Sequence, residues 1–439
     1  MRLTRQRRIL IPLAAAGAVG LALTGCAGGG QNEAPEEIEG VDLSGTTLEI
    51  ASDWSGAEQE NFEKVLDLFE ETTGATVNYT SLGNNIATVL GTQLEGGNPP
   101  DVAVLPQPGL LRQLAADGNI VALEGDALSA VEDNFSQDWI DLGSVDGDVY
   151  GVWFKGSNKS TVWYNADIYD EAGAEPPEDW DGFLEQLQLI ADAGYYGISV
   201  GGDVGWPLTD WFENVYLRSA GPEMYDQLSN HEIPWTDPSV TEALQLLSDL
   251  WSNEQLTQPG AGQRTFPDTV IEVFGDDPTA GTVYEGDFLA GNISANTNSV
   301  VGENALFYDF PAINDSGPSV VGGGNAAVAF NDDEGTMALM QFLASPEAAE
   351  VWVQAGGFTS PNQNVDTSLY PDDTSRQIAE ALVGAETFRF DMSDLAPSAF
   401  GGTEGGGEWQ ILLDFINNPT DVAGTQQALE AAAASAWAQ

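Results

Sequence analysis

Cysteine and histidine are scarce in this chain of 439 residues. Cys26 is the only cysteine, so no disulfide can form within the chain and no further cysteine is available as a catalytic nucleophile. His231 is the only histidine, which excludes a metal site built from several histidines and allows a Ser-His-Asp triad only through this one residue. No phosphate-binding loop with Gly-Lys-Ser/Thr is present. We therefore predict that the protein is not an enzyme and uses no cofactor and no metal.

Lysine and arginine are also scarce. The chain has 12 lysine and arginine residues against 69 aspartate and glutamate residues, which gives a formal net charge of −57 at pH 7. Such a surface repels nucleic acid and anionic lipid headgroups, so neither is expected as a direct partner. The excess of acid favours a solvated exterior suited to saline or acidic surroundings, and capture of cations such as polyamines is the alternative.

The first 25 residues have the pattern of a secretory signal peptide. Four arginines and no acidic residue lie within residues 1–8, and the apolar run 9–24 that follows is too short to span a bilayer. The Leu-Thr-Gly-Cys sequence that ends at Cys26 resembles the bacterial lipobox, in which the cysteine is lipidated and becomes the new N-terminus. The resemblance implies a lipid-anchored protein on the extracellular face of the cell membrane, and a soluble secreted protein with an incidental cysteine is the alternative. Residues 26–44 are rich in Gly, Pro and Glu and are predicted to form a flexible tether.

Downstream of the tether, short apolar segments alternate with amphipathic ones. Residues 47–51 and 101–105 are predicted strands, and residues 57–73 place apolar side chains at helical spacing before Gly74 ends the helix. Strands and helices that alternate over short connections favour a parallel sheet with helices on both faces. Ligands of such sheets collect at the carboxyl ends of the strands.

Three extended segments interrupt this pattern, at residues 149–164, 283–288 and 320–330. Each contains glycine, and the first is dense in aromatic and β-branched residues with a predicted bend in its middle. We interpret the three segments as crossings of the chain between two parts of the fold. Residues from 334 to the end are predicted to be largely helical.

Four motifs follow one another along the chain: FEETTG at 69–74, PPDV at 99–102, YGVWFKGSNKSTVWYN at 150–165 and NAAVAFNDDEGTMALMQFLASPEAAEVW at 325–352. Their order resembles that of the extracellular solute-binding proteins of sugar ABC importers. The resemblance covers nearly all of the chain after the tether. Within that family it points to the branch associated with α-glucosides and related oligosaccharides.

This resemblance implies a two-lobed α/β fold like that of periplasmic binding proteins, in which each lobe is a sheet flanked by helices and hinge crossings join the lobes. The first lobe would comprise residues 45–157 plus 285–328, and the second lobe residues 161–283 plus 331–439. The protein would be a monomer that closes around a small-molecule sugar ligand. It would deliver that ligand to the permease subunits of an ABC importer, which a separate ATPase powers.

Tryptophan is the most informative residue type for the site, with 12 copies. Aromatic faces bind the apolar faces of sugar rings, while polar groups around them fix the hydroxyls. Trp54 and Ser55 follow the first strand, and Gln107 follows the strand at 101–105 between two prolines that hold it in place at little cost in entropy. All three are predicted ligand contacts, and burial of Trp54 in the local core is the alternative for that residue.

Lys155 lies in the aromatic block of the first crossing. It is predicted either to donate hydrogen bonds to ligand hydroxyls or to form a structural ion pair, whereas Lys159 is interpreted as structural. Trp206 and Trp211 bracket a Pro-Leu-Thr-Asp turn into a helix. One of these two tryptophans is expected to face the cleft.

Asp287 and Phe288 offer a carboxylate and a ring at the second crossing, and a carboxylate binds vicinal hydroxyls through charge-assisted hydrogen bonds. Gly323, in the third crossing, would form a hinge or let the backbone approach the ligand closely. Trp409 ends a glycine-rich stretch beside Glu408 and would lie over the cleft, with a mobile surface loop as the alternative.

These features together predict a protein that binds a neutral sugar, an α-glucoside or an oligosaccharide, between two lobes. A binding protein for a cationic or zwitterionic solute, such as a polyamine or a betaine, is the first alternative. Two or more unpaired carboxylates in the cleft would favour that alternative. A secreted glycosidase with paired carboxylates is the second alternative.

Overall fold

The computed structural model describes residues 41–438. The predicted signal peptide at 1–25, the lipidation site Cys26 and the tether up to residue 40 lie outside the described residues. Within residues 41–438, no helix combines the length and the apolar character needed to cross a membrane.

Residues 41–438 form twelve strands and nineteen α-helices. The strands are β1 (Thr47–Ser52), β2 (Thr76–Ser81), β3 (Val102–Leu105), β4 (Ser144–Val145), β5 (Asp148–Val149), β6 (Gly151–Asn158), β7 (Thr161–Asn165), β8 (Tyr196–Ser199), β9 (Ala280–Tyr284), β10 (Ala305–Asp309), β11 (Val320–Ala329) and β12 (Phe388–Phe390). The helices are α1 (Ala57–Thr73), α2 (Ile86–Glu95), α3 (Pro108–Ala116), α4 (Gly125–Asn134), α5 (Gln137–Leu142), α6 (Ala166–Ala172), α7 (Trp180–Asp192), α8 (Trp206–Ala220), α9 (Pro222–Ser229), α10 (Pro238–Trp251), α11 (Phe266–Phe274), α12 (Leu289–Asn296), α13 (Glu334–Leu343), α14 (Pro346–Val353), α15 (Asp373–Gly384), α16 (Met392–Leu395), α17 (Ser398–Gly401), α18 (Gly407–Asn417) and α19 (Val422–Ala436).

The first sheet has six strands, in the order β12-β11-β3-β1-β2, with β6 paired to β11. β1 runs parallel to β2 and β3, whereas β11 is antiparallel to β3 and β6. All four residues of β3 are buried, as expected of a strand that helices cover on both faces. The parallel sheet predicted from alternating strands and helices is confirmed for β1, β2 and β3.

The second sheet has four strands, in the order β10-β7-β9-β8. β7 is antiparallel to both of its neighbours, and β8 is parallel to β9. Helix α8 packs in the core of this part of the chain and is buried along nearly its whole length. Its burial carries the acidic side chains of Asp210 and Glu213 into the interior.

The first predicted crossing is present in the structure. β6 ends at Asn158 in the first sheet and β7 begins at Thr161 in the second, so only Lys159 and Ser160 separate the two sheets there. The chain returns to the first sheet between β10 and β11. The two-lobed α/β fold with hinge crossings is therefore confirmed.

The assignment of elements to lobes differs from the prediction at several places. β12, which was predicted in the second lobe, pairs with β11 of the first sheet. β10, which was predicted in the first lobe, pairs with β7 of the second sheet. Helices α13 and α14, which were predicted in the second lobe, pack in the core of the first, where the rings of Trp352 and Trp54 have centroids 4.9 Å apart. The pattern of apolar residues along the chain predicts an element and its buried face, but it does not indicate which sheet covers that face.

Candidate ligand-binding site

A cavity of about 560 Å³ lies at the carboxyl ends of strands β1 and β3. Its wall continues through the β6–β7 crossing and through the first turns of helices α8, α11 and α18, with α12 on one side. Residues of both lobes therefore line one cavity, at the strand edge that the sequence predicts for a ligand.

Trp54 and Gln107 follow the adjacent parallel strands β1 and β3 and so reach the same edge of the sheet. The ring of Trp54 meets those of Phe62 and Trp352 edge to face, with centroids 4.9 Å apart in both pairs. The residue is 3% exposed. Trp54 is thus part of the first core and also part of the cavity wall, and its contact with a ligand stays a prediction.

Two residues that line the cavity each carry a buried polar atom with no partner within residues 41–438. Gln107 packs its amide against Gly402, where a Cβ would come within 2.4 Å of Nε2. The Oε1 atom of Gln107 has no hydrogen-bond partner within residues 41–438. Trp409 is 5% exposed in the first turn of α18, and its Nε1 likewise lacks an acceptor in this part of the chain. Because Trp409 is buried in a helix, it does not belong to a mobile surface loop, which was its alternative interpretation.

Three rings form an aromatic cluster where helices begin: Trp206 opens α8, Phe266 opens α11, and Phe288 directly precedes α12. Their centroids lie between 5.5 and 6.0 Å apart, and each pair meets edge to face. All three rings line the cavity and remain partly exposed. Edge-to-face packing holds the rings in place and supplies apolar area that can accept the face of a sugar ring.

Lys155 belongs to the aromatic side of the cavity. Its Nζ lies 2.5 Å from Oε1 of Glu58 and between 5.1 and 5.7 Å from the ring centroids of Trp54, Phe288 and Trp352. The side chain is 2% exposed and lines the cavity. Lys155 therefore forms the structural ion pair that was one of its two predicted roles, and it is also placed at the ligand cavity.

Lys159 lies in an acidic environment. Its Nζ is 2.5 Å from Oδ2 of Asp391, 3.1 Å from Oδ1 of Asp210 and 3.6 Å from Oδ2 of Asp394. Burial opposes the charge of the ammonium, but the three carboxylates prevail and hold the pKa of Lys159 well above its usual value. Burial also opposes ionisation of Asp391, yet Lys159 and the hydrogen bonds to its carboxylate hold its pKa below the usual range.

Three further carboxyl groups are buried nearby, those of Glu213, Glu285 and Glu408, and each is at most 2% exposed. Glu213 accepts hydrogen bonds from the backbone N–H groups of Met392 and Ser393, whereas both oxygens of Glu285 and of Glu408 have no partner within residues 41–438. Burial, followed by the charges of neighbouring acids, raises the pKa of all three well above the usual value.

We call these six groups the acidic cluster: Asp210, Glu213, Glu285, Asp391, Asp394 and Glu408. One ammonium, that of Lys159, contacts its members, and burial raises the pKa of all but Asp391. The raised pKa values favour the protonated form of these carboxyl groups, in which a carboxyl group can donate as well as accept. No group of three or more metal-binding side chains within residues 41–438 is arranged to hold a metal ion.

Two other carboxylates line the cavity, those of Asp53 and Asp203. Asp53 accepts a hydrogen bond from Nδ2 of Asn325, and burial together with the charge of Glu58 raises its pKa to about 7. Burial also raises the pKa of Asp203. Neither carboxylate is in an ion pair within the described part of the chain.

Of the ten predicted ligand contacts, seven line the cavity: Trp54, Ser55, Gln107, Lys155, Trp206, Phe288 and Trp409. The structure places the other three elsewhere. Trp211 is 1% exposed and packs in the second core, because it lies on the buried helix α8. Asp287 is 4% exposed and accepts a hydrogen bond from the hydroxyl of Thr359 rather than facing the cavity. Gly323 is covered by the side chain of Lys159, whose Cε would lie 2.7 Å from a Cβ at this position.

Several cavity residues were not predicted from the sequence. Asp391, Ser393 and Asp394 follow β12, which has only three residues and is too short to be recognised as a strand. Asn292 and Asn296 lie on α12, whose position beside the cavity depends on tertiary packing. The polar Asp-Met-Ser-Asp sequence was the one local signal that could have indicated a strand end.

Two α/β lobes joined by short crossings, with an aromatic and polar cavity at their strand ends, define the class of two-lobed ligand-binding proteins. Residues 53–350 match the model of the bacterial extracellular solute-binding protein family, and the chain belongs to this family. It is 35% identical over 406 residues to the osmoprotective compounds-binding protein GgtB of Synechocystis sp., covering 90% of this chain and 93% of that protein. It is 33% identical over 410 residues to the alpha-glucosides-binding periplasmic protein AglE of Rhizobium meliloti, covering 89% of this chain and 88% of that protein.

Solved structures share the fold at lower sequence identity. The solute receptor AcbH, with an exclusive substrate preference for β-D-galactopyranose, superposes with a TM-score of 0.79 at 21% identity over 89% of this chain and 99% of its own. A chitin oligosaccharide binding protein superposes with a TM-score of 0.78 at 19% identity over 90% of this chain and 100% of its own. These likenesses support the two-lobed fold described above.

Proposed function

We propose that the protein is the lipid-anchored extracellular solute-binding component of an ABC importer and that it binds a neutral sugar, an α-glucoside or an oligosaccharide, by closure of its two lobes. Lipid attachment would be at Cys26, in the lipobox-like sequence. The permease subunits of the importer would receive the ligand. Support for the ligand class comes from the relative that binds α-glucosides and from the chemistry of the cavity wall.

The observation that carries this proposal is that two residues lining the cavity each hold a buried polar atom without a partner in the described residues. Oε1 of Gln107 requires a donor, and Nε1 of Trp409 requires an acceptor. A buried polar group without a partner costs on the order of 1–3 kcal/mol, so a ligand that satisfies both atoms is favoured. A sugar hydroxyl both donates and accepts, and a sugar presents several hydroxyls around an apolar ring.

The two ammonium groups of the cavity support a ligand without negative charge. Lys155 is paired with Glu58, and Lys159 is surrounded by three carboxylates. Each charge is therefore already balanced within the protein. A phosphate or carboxylate on the ligand would face Asp53 and Asp203 without a free cation to bind it.

A second candidate function is the binding of a cationic or zwitterionic solute. It is favoured by Asp53 and Asp203, which line the cavity without an ion pair in the described residues. The aromatic side opposes it, because Lys155 already occupies the position over the rings that a ligand cation would take.

Calorimetric titration of the mature chain with mono- to tetrasaccharides, betaines and polyamines tests the proposal. We expect binding of a saccharide, and we expect Trp409→Phe to weaken it roughly tenfold because the ring remains and only the N–H is lost. Trp251→Phe is the matched control, since Nε1 of Trp251 is also buried and unpaired but lies outside the cavity wall.

Binding of betaines or polyamines alone would overturn the sugar assignment in favour of the second candidate. Equal affinities of wild-type protein and Trp409→Phe for the saccharide would overturn the placement of the site. Release of shorter sugars during the same incubations would show a glycosidase instead of a binding protein.

A further inference from the structure

Helix α12 forms one side of the cavity over its whole length. Phe288 directly precedes the helix, Asn292 lies one turn further on and Asn296 ends it, and all three line the cavity. Residues spaced by four lie on one helical face, and a rise of about 1.5 Å per residue places Phe288 and Asn296 about 12 Å apart along the axis. The cavity wall therefore extends well beyond the dimensions of a single sugar ring.

This wall leads from the interior to solvent. The side chains of Phe288 and Asn292 are partly exposed, whereas that of Asn296 is exposed to solvent. On another side of the cavity Asn84 is exposed too, at the start of α2. An adjacent face of α12 is fixed by Leu289 and Ile293, which are buried in a small core with residues of α11. Helix α12 is thus firmly packed, and it extends from the interior to the solvent-exposed edge of the cavity, where asparagine side chains lie.

The amide groups of the two asparagines on α12 are oriented by the helix itself. Nδ2 of Asn292 donates to the backbone oxygen of Phe288 at 3.2 Å, and Nδ2 of Asn296 donates to that of Asn292 at 3.0 Å. Each side chain therefore keeps its Oδ1 available as an acceptor. The two acceptors are four residues apart, about 6 Å along the axis, which is close to the length of one pyranose unit.

We propose that Phe288, Asn292 and Asn296 form an outer subsite for the second and third rings of an oligosaccharide. The ring of Phe288 and its neighbours in the aromatic cluster receives the apolar face of a sugar, and the two Oδ1 atoms accept hydrogen bonds from successive units. The first ring occupies the inner part of the cavity at Gln107 and Trp409. This subsite rests on the proposed sugar-binding function, and it makes the preferred ligand an oligosaccharide of two or more units.

The test is a titration of α-linked glucose oligomers of one to four units into the wild-type protein and into the double variant Asn292→Ala/Asn296→Ala. For the wild type we expect affinity to increase from one unit to three. For the double variant we expect this increase to be lost, which lowers affinity for the three-unit ligand about tenfold while affinity for glucose changes less than about twofold. Alanine favours helix, so the fold should be retained, and thermal unfolding checks this.

Ser294→Ala is the matched control. Ser294 is exposed on the same helix, its hydroxyl bonds to the backbone of Ala290, and it does not line the cavity. It should leave every affinity unchanged. An equal loss for all oligomer lengths in the double variant, or no loss at any length, would overturn the outer subsite while leaving sugar binding intact. Binding of none of the oligomers by the wild type would overturn the sugar assignment and the subsite together.

Discussion

Lys155 and Lys159 are four residues apart at the same crossing, yet their surroundings are opposite. Lys155 has one carboxylate partner, Glu58, which is 29% exposed, and three aromatic rings within 5.7 Å. Lys159 has three carboxylates within 3.6 Å, and the remaining members of the acidic cluster are buried close by. The cavity thus has an aromatic side and an acidic side.

The difference separates two kinds of contribution to the site. For the proposed sugar ligand, the aromatic side would supply apolar area for ring faces, and the acidic side would supply polar groups for hydroxyls. Neither ammonium is left unpaired for a ligand. Charge is therefore used within the protein to hold the crossing in place, and recognition of the proposed neutral ligand would depend on rings and hydrogen bonds.

The largest expected effect comes from replacing each lysine by methionine. In Lys159→Met the buried carboxylates of Asp210 and Asp391 lose their counter-charge, and we expect a loss of about 3–5 kcal/mol in the free energy of unfolding at pH 7. In Lys155→Met the partner Glu58 can hydrate, and we expect a loss of about 1 kcal/mol. Urea denaturation of both variants measures the difference.

The loss in Lys159→Met should shrink at pH 5, because burial raises the pKa of Asp391 once the ammonium is gone, and protonation then removes its uncompensated charge. Equal losses for the two lysine variants at pH 7 would contradict the division into an aromatic and an acidic side. A loss in the free energy of unfolding of Lys159→Met that does not depend on pH would contradict this division as well.

A pH dependence of stability is the next largest effect. Burial raises the pKa of Asp287 from 3.8 to about 6, although the hydrogen bond from Thr359 opposes this shift. The folded chain therefore binds more protons than the unfolded chain between these values, so stability falls as pH rises through this window and the loss is complete above pH 6. At about 1.4 kcal/mol per pKa unit, Asp287 alone accounts for about 3 kcal/mol. Asp53, whose pKa is about 7, extends the fall to neutral pH.

Asp287→Asn isolates this contribution, because its amide oxygen can still accept from Thr359. Unfolding followed from pH 4 to pH 8 should show a smaller loss of stability in the variant than in the wild type. Sugar affinity at fixed pH should remain within about twofold of the wild type, since Asp287 lies outside the cavity wall. Parallel curves for the two proteins would contradict the shifted pKa.

The strand ends were the most predictable part of the site. Trp54 and Gln107 were found because alternating strands and helices predict a parallel sheet, and the carboxyl ends of parallel strands meet at one edge. The prediction that Trp211 contacts the ligand was wrong, because the sequence around α8 does not show that this helix is buried on nearly all sides. The acidic cluster was not predictable, because its members come from four separate segments that only the tertiary fold brings around Lys159.

The smallest expected effect tests the aromatic side alone. Glu58→Gln removes the carboxylate from Lys155 but keeps an oxygen that can accept from its ammonium, and the three rings remain in place. Because Glu58 is partly exposed, we expect a loss of less than about 1 kcal/mol in the free energy of unfolding. Asp391→Asn is the matched change on the acidic side, and it should cost more because Asp391 is 1% exposed whereas Glu58 is 29% exposed. If Glu58→Gln instead reduces the free energy of unfolding as much as Asp391→Asn does, the three rings do not stabilise the Lys155 ammonium in place of Glu58. The aromatic side would then depend on its ion pair as strongly as the acidic side does.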